Sequence, residues 1–177
     1  IDYLKVANYW APDLPVHYDG TVAALDNSHG SAINDRVATL GRVLFYDKKL
    51  SINNTTSCGS CHLQDLGFTD PRQFSLGFAG AQTAAHAPRL GNVRYFAPGT
   101  MFWDRRAPSL ERQVSDPITN AVELGFTSGF PHLIAKMNGI AYYPELFTFA
   151  FDSAAITEER IQQAVAQFER AMISSAS

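Results

Sequence analysis

Cys58-Gly59-Ser60-Cys61-His62 constrains this chain more than any other feature. Two cysteines with two residues between them stand one helical turn apart, and a histidine follows directly. That spacing lets two thiols add to the two vinyl groups of one porphyrin, with the next imidazole under the iron. The pattern is that of a c-type haem attachment site. The chain holds 2 cysteines, and this motif uses both. A thioredoxin-like dithiol needs a strand-helix-strand setting; here a Ser-, Asn- and Thr-rich stretch (residues 51–57) precedes the motif. A zinc site needs two further ligands at fitting spacing, and the sequence has no second cysteine pair.

Length and composition bound the rest. The 177 residues fit one domain, and an apolar share of 46% is enough for a core. The formal net charge of −3 comes with no basic run, which argues against a nucleic-acid partner. No stretch of about 18 apolar residues exists, so no membrane span is expected. Ile1-Asp2-Tyr3-Leu4-Lys5 has no signal-peptide pattern. Haem is attached to such motifs outside the bacterial cytoplasm. The expectation is therefore a mature periplasmic chain whose export signal has been removed.

The order of elements reads as all-α with long irregular loops. Residues 1–34, with Pro12, Pro15, Gly20 and Gly30, predict an irregular lead-in. Residues 35–177 predict one haem domain. Asn34 or Asp35 caps a helix whose inner face is Val37, Leu40, Gly41 and Leu44, ending near Asp47. The haem motif opens the next short helix. The loop-rich stretch 67–99 suits wrapping a cofactor. Ser109 starts a helix that Pro117 stops. Another spans Phe130 to Asn138 before Gly139. Pro144 sits in the first turn of a third, with Leu146, Phe147, Ala150 and Phe151 inward. Thr157 caps the last, whose apolar stripe is Ile161, Ala164, Val165, Phe168 and Met172.

Further motifs lie in register with the first. They are Leu40-Gly41-Arg42-Val43-Leu44-Phe45-Tyr46-Asp47, Leu50-Ser51, Gly67-Phe68-Thr69-Asp70 and Ser75-x-Gly77-x-x-Gly80. They continue with Phe102-Trp103-Asp104-x-Arg106-Ala107-x-Ser109-Leu110-Glu111-x-Gln113, Pro117-Ile118, Glu123-Leu124-Gly125 and Phe168-Glu169-Arg170. Together they resemble the bacterial di-haem cytochrome c peroxidases and MauG, over about residues 37–173. The resemblance implies a cytochrome c-like fold. It implies the N-terminal, peroxide-reacting haem domain, carrying one covalent haem c on Cys58 and Cys61 with His62 as iron ligand. The family's second haem domain has no counterpart here, since no second Cys-x-x-Cys-His follows.

The same resemblance implies roles for other residues. Glu123 shuttles a proton on iron-bound hydrogen peroxide; by residue type alone it is a solvated surface carboxylate. Gln113 lines the distal pocket, or is an exposed helix glutamine. Trp103 relays electrons between haems, or packs in the core. The expected partners are hydrogen peroxide, a small electron donor (cytochrome c or cupredoxin) and a second haem domain or subunit. A chain with one haem is expected to show weak or no steady-state turnover by itself.

Departures from the family pattern carry expectations of their own. Phe78 stands where the family often has a distal histidine, which predicts an open sixth position without reductive activation. His86 stands where asparagine is usual, as a swing-in ligand or an ordinary loop histidine, and makes the calcium site of some relatives doubtful. Arg105 replaces a glycine. Arg106 neutralises a propionate or is a surface residue. His17, His29 and His132 are expected to be structural or solvent-facing. The alternative function is a single-haem electron-transfer cytochrome c with Met101 or another residue as sixth ligand; Met101 and Met137 are both candidates by type and are read as packing.

Overall fold

The computed structural model describes residues 5–18, 20–28 and 30–175. Its helices are α1 (Gly20–Ala23), α2 (Asp35–Tyr46), α3 (Cys58–Cys61), α4 (Leu110–Gln113), α5 (Ser115–Thr119), α6 (Phe130–Asn138), α7 (Tyr142–Phe151) and α8 (Glu158–Arg170). Among the described residues there is no strand. Three isolated antiparallel bridges, Leu63 with Thr69, Leu76 with Gln82 and Met101 with Ala107, pin the long loops. The lead-in holds one helical turn, α1, with none of its residues buried. His29 lies outside the described residues.

The ends of the main helices follow local chemistry. Asn34 Oδ1 accepts from the Arg36 and Val37 amides at 2.9 and 3.2 Å, satisfying two orphan donors of α2. Thr157 Oγ1 does the same for the Arg160 amide at the start of α8, where Glu158 and Glu159 favour the helix dipole. Asn34→Ala is expected to cost about 1 kcal/mol of stability, measured by urea unfolding.

Pro117 does not stop a helix. The Ser109-capped turn ends at Gln113, and Pro117 is the third residue of α5, where its missing N–H has no helical partner to lose. In α7, Leu146, Phe147 and Ala150 are buried as expected, while Phe151 is half-buried. Tyr143 is fully buried with them. Its hydroxyl and that of Tyr142 both donate to Asp47 Oδ2, at 2.9 and 2.6 Å, tying α7 to the end of α2.

The core forms where α2 crosses α8, with α7 packed on α2. Leu40, Leu44, Phe45, Ile161, Ala164 and Val165 are essentially inaccessible, and each large side chain contributes about 1.5–3 kcal/mol on burial. Gly41 is where the two helices touch. A Cβ there would lie 1.8 Å from the Ala164 carbonyl oxygen and 2.9 Å from Phe168 Cβ. On an exposed helix face Gly→Ala stabilises by about 1 kcal/mol. Gly41→Ala is expected to reverse that sign and lose about 1–3 kcal/mol, because a helix backbone cannot step aside. A lower urea midpoint at unchanged slope is the signature.

Candidate functional site

Ser57 caps α3, and Ser60 answers it. The Ser57 amide donates to Ser60 Oγ at 3.0 Å, and the two hydroxyls lie 3.3 Å apart. This reciprocal cap fixes a single turn with Cys58 at its first position and Cys61 at its last. The two cysteines are not joined to each other by a disulfide. Burial pushes both thiols above the ordinary range, and the nearby carboxylate of Glu123 adds to the effect on each. A redox dithiol needs the opposite, a thiolate stabilised near neutral pH.

His62 is placed by a strained backbone. Gly67 and Phe68 both adopt left-handed conformations (φ 68 and 63). For Phe68 this costs about 1–2 kcal/mol, the kind of strain that clusters at functional sites. The turn aims the Phe68 carbonyl at His62 Nδ1, 2.8 Å away. A carbonyl only accepts, so Nδ1 carries the proton and Nε2 keeps its lone pair for a metal. Burial lowers the His62 pKa, against the raising effect of its backbone contacts and of Asp70. The imidazole is thus held neutral, the form that ligates iron. These residues fit a c-type haem. The partner of Nδ1 is the feature that sequence reasoning missed, since its only trace is the glycine before Phe68.

A second loop pair packs beside the motif. Gly77 permits it, because a Cβ there would lie 1.8 Å from the Val122 carbonyl oxygen. The Phe78 amide reaches the carbonyls of Val122 and Glu123, both at 3.1 Å. The Phe78 ring fills the space above Gly125, whose left-handed backbone (φ 87) has no Cβ to oppose it. Cys61 Sγ lies 3.9 Å from the Leu76 carbonyl of the same loop.

Glu123 is half-buried in this loop pair. Burial raises its carboxyl above the usual range; Arg106 opposes that and Asp116 adds to it. No hydrogen bond engages its carboxylate among the described residues, while its amide donates to Asn120 Oδ1 at 3.2 Å. Gln113, half-buried, ends α4 three residues before Asp116. No hydrogen bond joins Gln113 to Glu123 among the described residues.

Trp103 is not a core residue; it is 69% exposed. Its Nε1 donates to the His86 carbonyl at 2.9 Å. The two ring nitrogens of His86 face the Arg72 carbonyl and Thr69 Oγ1, each at 3.0 Å. Thr69 follows Phe68, so His86 braces the His62 side of the motif, and reaching iron would require both contacts to break. Arg105 takes a left-handed backbone (φ 59) that glycine holds without strain, so the substitution preserves the turn. Arg106 pairs with Asp104 and Asp116 and lies 3.7 Å from the centre of the Phe102 ring. Met101 and Met137 are buried in apolar clusters. His132 is exposed, with its Nδ1 3.2 Å from Ser128 Oγ, and His17 packs on the Tyr18 ring. Among the described residues no cluster of His, Cys, Asp and Glu forms a separate metal site.

Comparison with known proteins agrees with this geometry. The family model described as di-haem cytochrome c peroxidase matches residues 35–177. The methylamine utilization protein MauG of Methylophilus methylotrophus is 34% identical over 99% of this chain and 52% of that protein. The cytochrome c551 peroxidase of Nitrosomonas europaea is 36% identical over 81% of this chain and 42% of that protein. The crystal structure of a MauG-like protein associated with microbial copper homeostasis superposes with a TM-score of 0.71, at 32% identity, covering 95% of this chain and 46% of that one. The chain thus spans about half the length of the relatives it matches. With the helical fold and the motifs in register, these matches establish that the chain belongs to the di-haem cytochrome c peroxidase and MauG family of c-type haem proteins.

Proposed function

We propose that this chain is the peroxide-reacting haem domain of a cytochrome c peroxidase-like oxidoreductase, reducing hydrogen peroxide to water with electrons from a small redox protein. The observation that carries this is a Cys-x-x-Cys turn followed by a neutral His62, with the half-buried carboxylate of Glu123 near enough to both cysteines to act on their thiols. When bound, haem c supplies an iron that takes up peroxide and accepts electrons. Cys58 and Cys61 hold its edge as thioethers, one haem to the chain. His62 Nε2 is the protein ligand. Glu123 would be the group that accepts a proton from hydrogen peroxide and gives it back to the departing oxygen. Gln113, half-buried at the end of α4, would donate a hydrogen bond to the substrate. Trp103, exposed at the surface, is where electrons pass inward from a second haem domain or subunit.

Residues 35–177 serve as the haem domain and residues 1–34 as a lead-in. Phe78, packed on Gly125, has no donor atom, so it would give an iron held by His62 no further protein ligand. Cytochrome c or a cupredoxin is the donor class, and the periplasm is the setting. No helix among the described residues is long and apolar enough to cross a membrane. An electron carrier with an axial methionine is the poorer reading, since it has no use for Gln113 and a half-buried Glu123.

An optical spectrum of the haem-loaded ferric protein tests the proposal. A high-spin haem that changes on adding peroxide is the expected result. A low-spin haem inert to peroxide rejects it.

A further inference from the structure

Tyr46 is the last residue of α2, and its ring lies against the haem motif. A Cβ on Gly59 would stand 2.6 Å from Tyr46 Cδ1 and 2.8 Å from Cε1. The phenol therefore covers the backbone between the two tethering cysteines, and glycine is what lets it approach. At the same time the residue is 40% exposed. Its hydroxyl donates to Gln64 Oε1 at 3.3 Å. Its ring centre is 5.1 Å from that of Phe45, which is 6.3 Å from that of His62. One oxidisable side chain thus touches the motif on one edge and solvent on the other. Packing alone would be served by phenylalanine, with no hydroxyl to hydrogen-bond at the surface. Tyr142 is comparably exposed, at 38%, but its ring packs on Tyr143 and its hydroxyl is tied to Asp47, away from the haem motif.

We propose that Tyr46 is a second redox site of this chain, an outlet that gives electrons to the haem when peroxide arrives and no donor protein does. The proposal rests on the peroxide-reacting function above. Each Tyr46 phenol loses one electron to the oxidised haem and its hydroxyl proton to water. Two such radicals, on two copies of the chain, join through one new carbon–carbon bond. The two ring hydrogens at that bond return to the phenolic oxygens. Hydrogen peroxide takes up the two electrons and two protons and leaves as two waters.

The test treats the haem-loaded chain with hydrogen peroxide in the absence of a donor protein. The haem spectrum is followed, and the products are mapped by peptide mass spectrometry. The expected product is a dityrosine-linked dimer through Tyr46. It is lost in Tyr46→Phe, which keeps the ring packing, and retained in Tyr142→Phe. A haem that responds to peroxide while the dimer survives Tyr46→Phe, or while Tyr46 stays unoxidised, overturns this proposal alone. A haem that does not respond overturns the peroxide-reacting function and this proposal with it.

Discussion

In Glu123→Gln, the haem-loaded protein is expected to consume hydrogen peroxide about 10²–10⁴-fold more slowly, the usual contribution of a positioned acid–base group. The amide keeps the size and polarity of the side chain and removes only the capacity to take a proton. Haem attachment and the ferric spectrum should therefore persist, because Cys58, Cys61 and His62 are untouched. The pH profile adds a second signature. Burial raises the Glu123 carboxyl above the usual range. The proton-accepting form is then populated only above that raised midpoint, so the wild-type rate climbs with pH through it. Glutamine does not titrate, and the climb should vanish. Stopped-flow spectra across pH read both effects. An unchanged rate in the variant would place proton transfer elsewhere, with Glu123 as a wall of the loop pair.

Glu169→Gln is expected to remove most of a fall in stability between pH 5 and pH 8. Glu169 is buried in the last turn of α8, and its Oε2 has no hydrogen-bond partner among the described residues. Burial pushes its carboxyl up to about 8 from an ordinary 4.5, with Arg170 opposing and Glu111 adding to the rise. Between those two values the folded chain holds a proton that the unfolded chain releases. Stability is therefore full below the unfolded value and declines as pH rises toward the folded one. The loss approaches the order of 3 kcal/mol by pH 8. Glutamine resembles the neutral acid in shape, so the variant should match wild type at pH 5 and exceed it at pH 8. Urea unfolding at the two pH values gives the comparison; parallel curves for the two proteins would refute a neutral Glu169. The neighbouring Arg170–Glu111 pair works in the opposite sense. Burial pushes the Glu111 carboxyl up, but the hydrogen bond and charge of Arg170 outweigh it, and the net shift is downward. That pair supports the fold above the ordinary carboxylate range and is lost as pH falls through the lowered value.

What the chain alone determined was local. The helix starts at Asn34 and Thr157, and the stop at Gly139, involve groups a few residues apart, so a short window of sequence contains both partners. The apolar stripes of α2 and α8 follow the 3.6-residue repeat for the same reason. The spacing of Cys58, Cys61 and His62 is equally local, since one helical turn sets it. Tertiary structure decided everything that needed a distant partner. A tryptophan in a motif says nothing of exposure or partner, and only the fold brings the Trp103 indole N–H to the His86 carbonyl, 17 residues away in the chain. Phe78 packs on Gly125, and Glu123 gains its raised carboxyl, only because two separate loops meet where Gly77 lacks a side chain. Glu169 looks like any helix glutamate until α8 is packed and water is excluded from it. A residue's letter fixes its chemistry; the neighbours that desolvate, charge or orient it are brought there by contacts far apart in sequence.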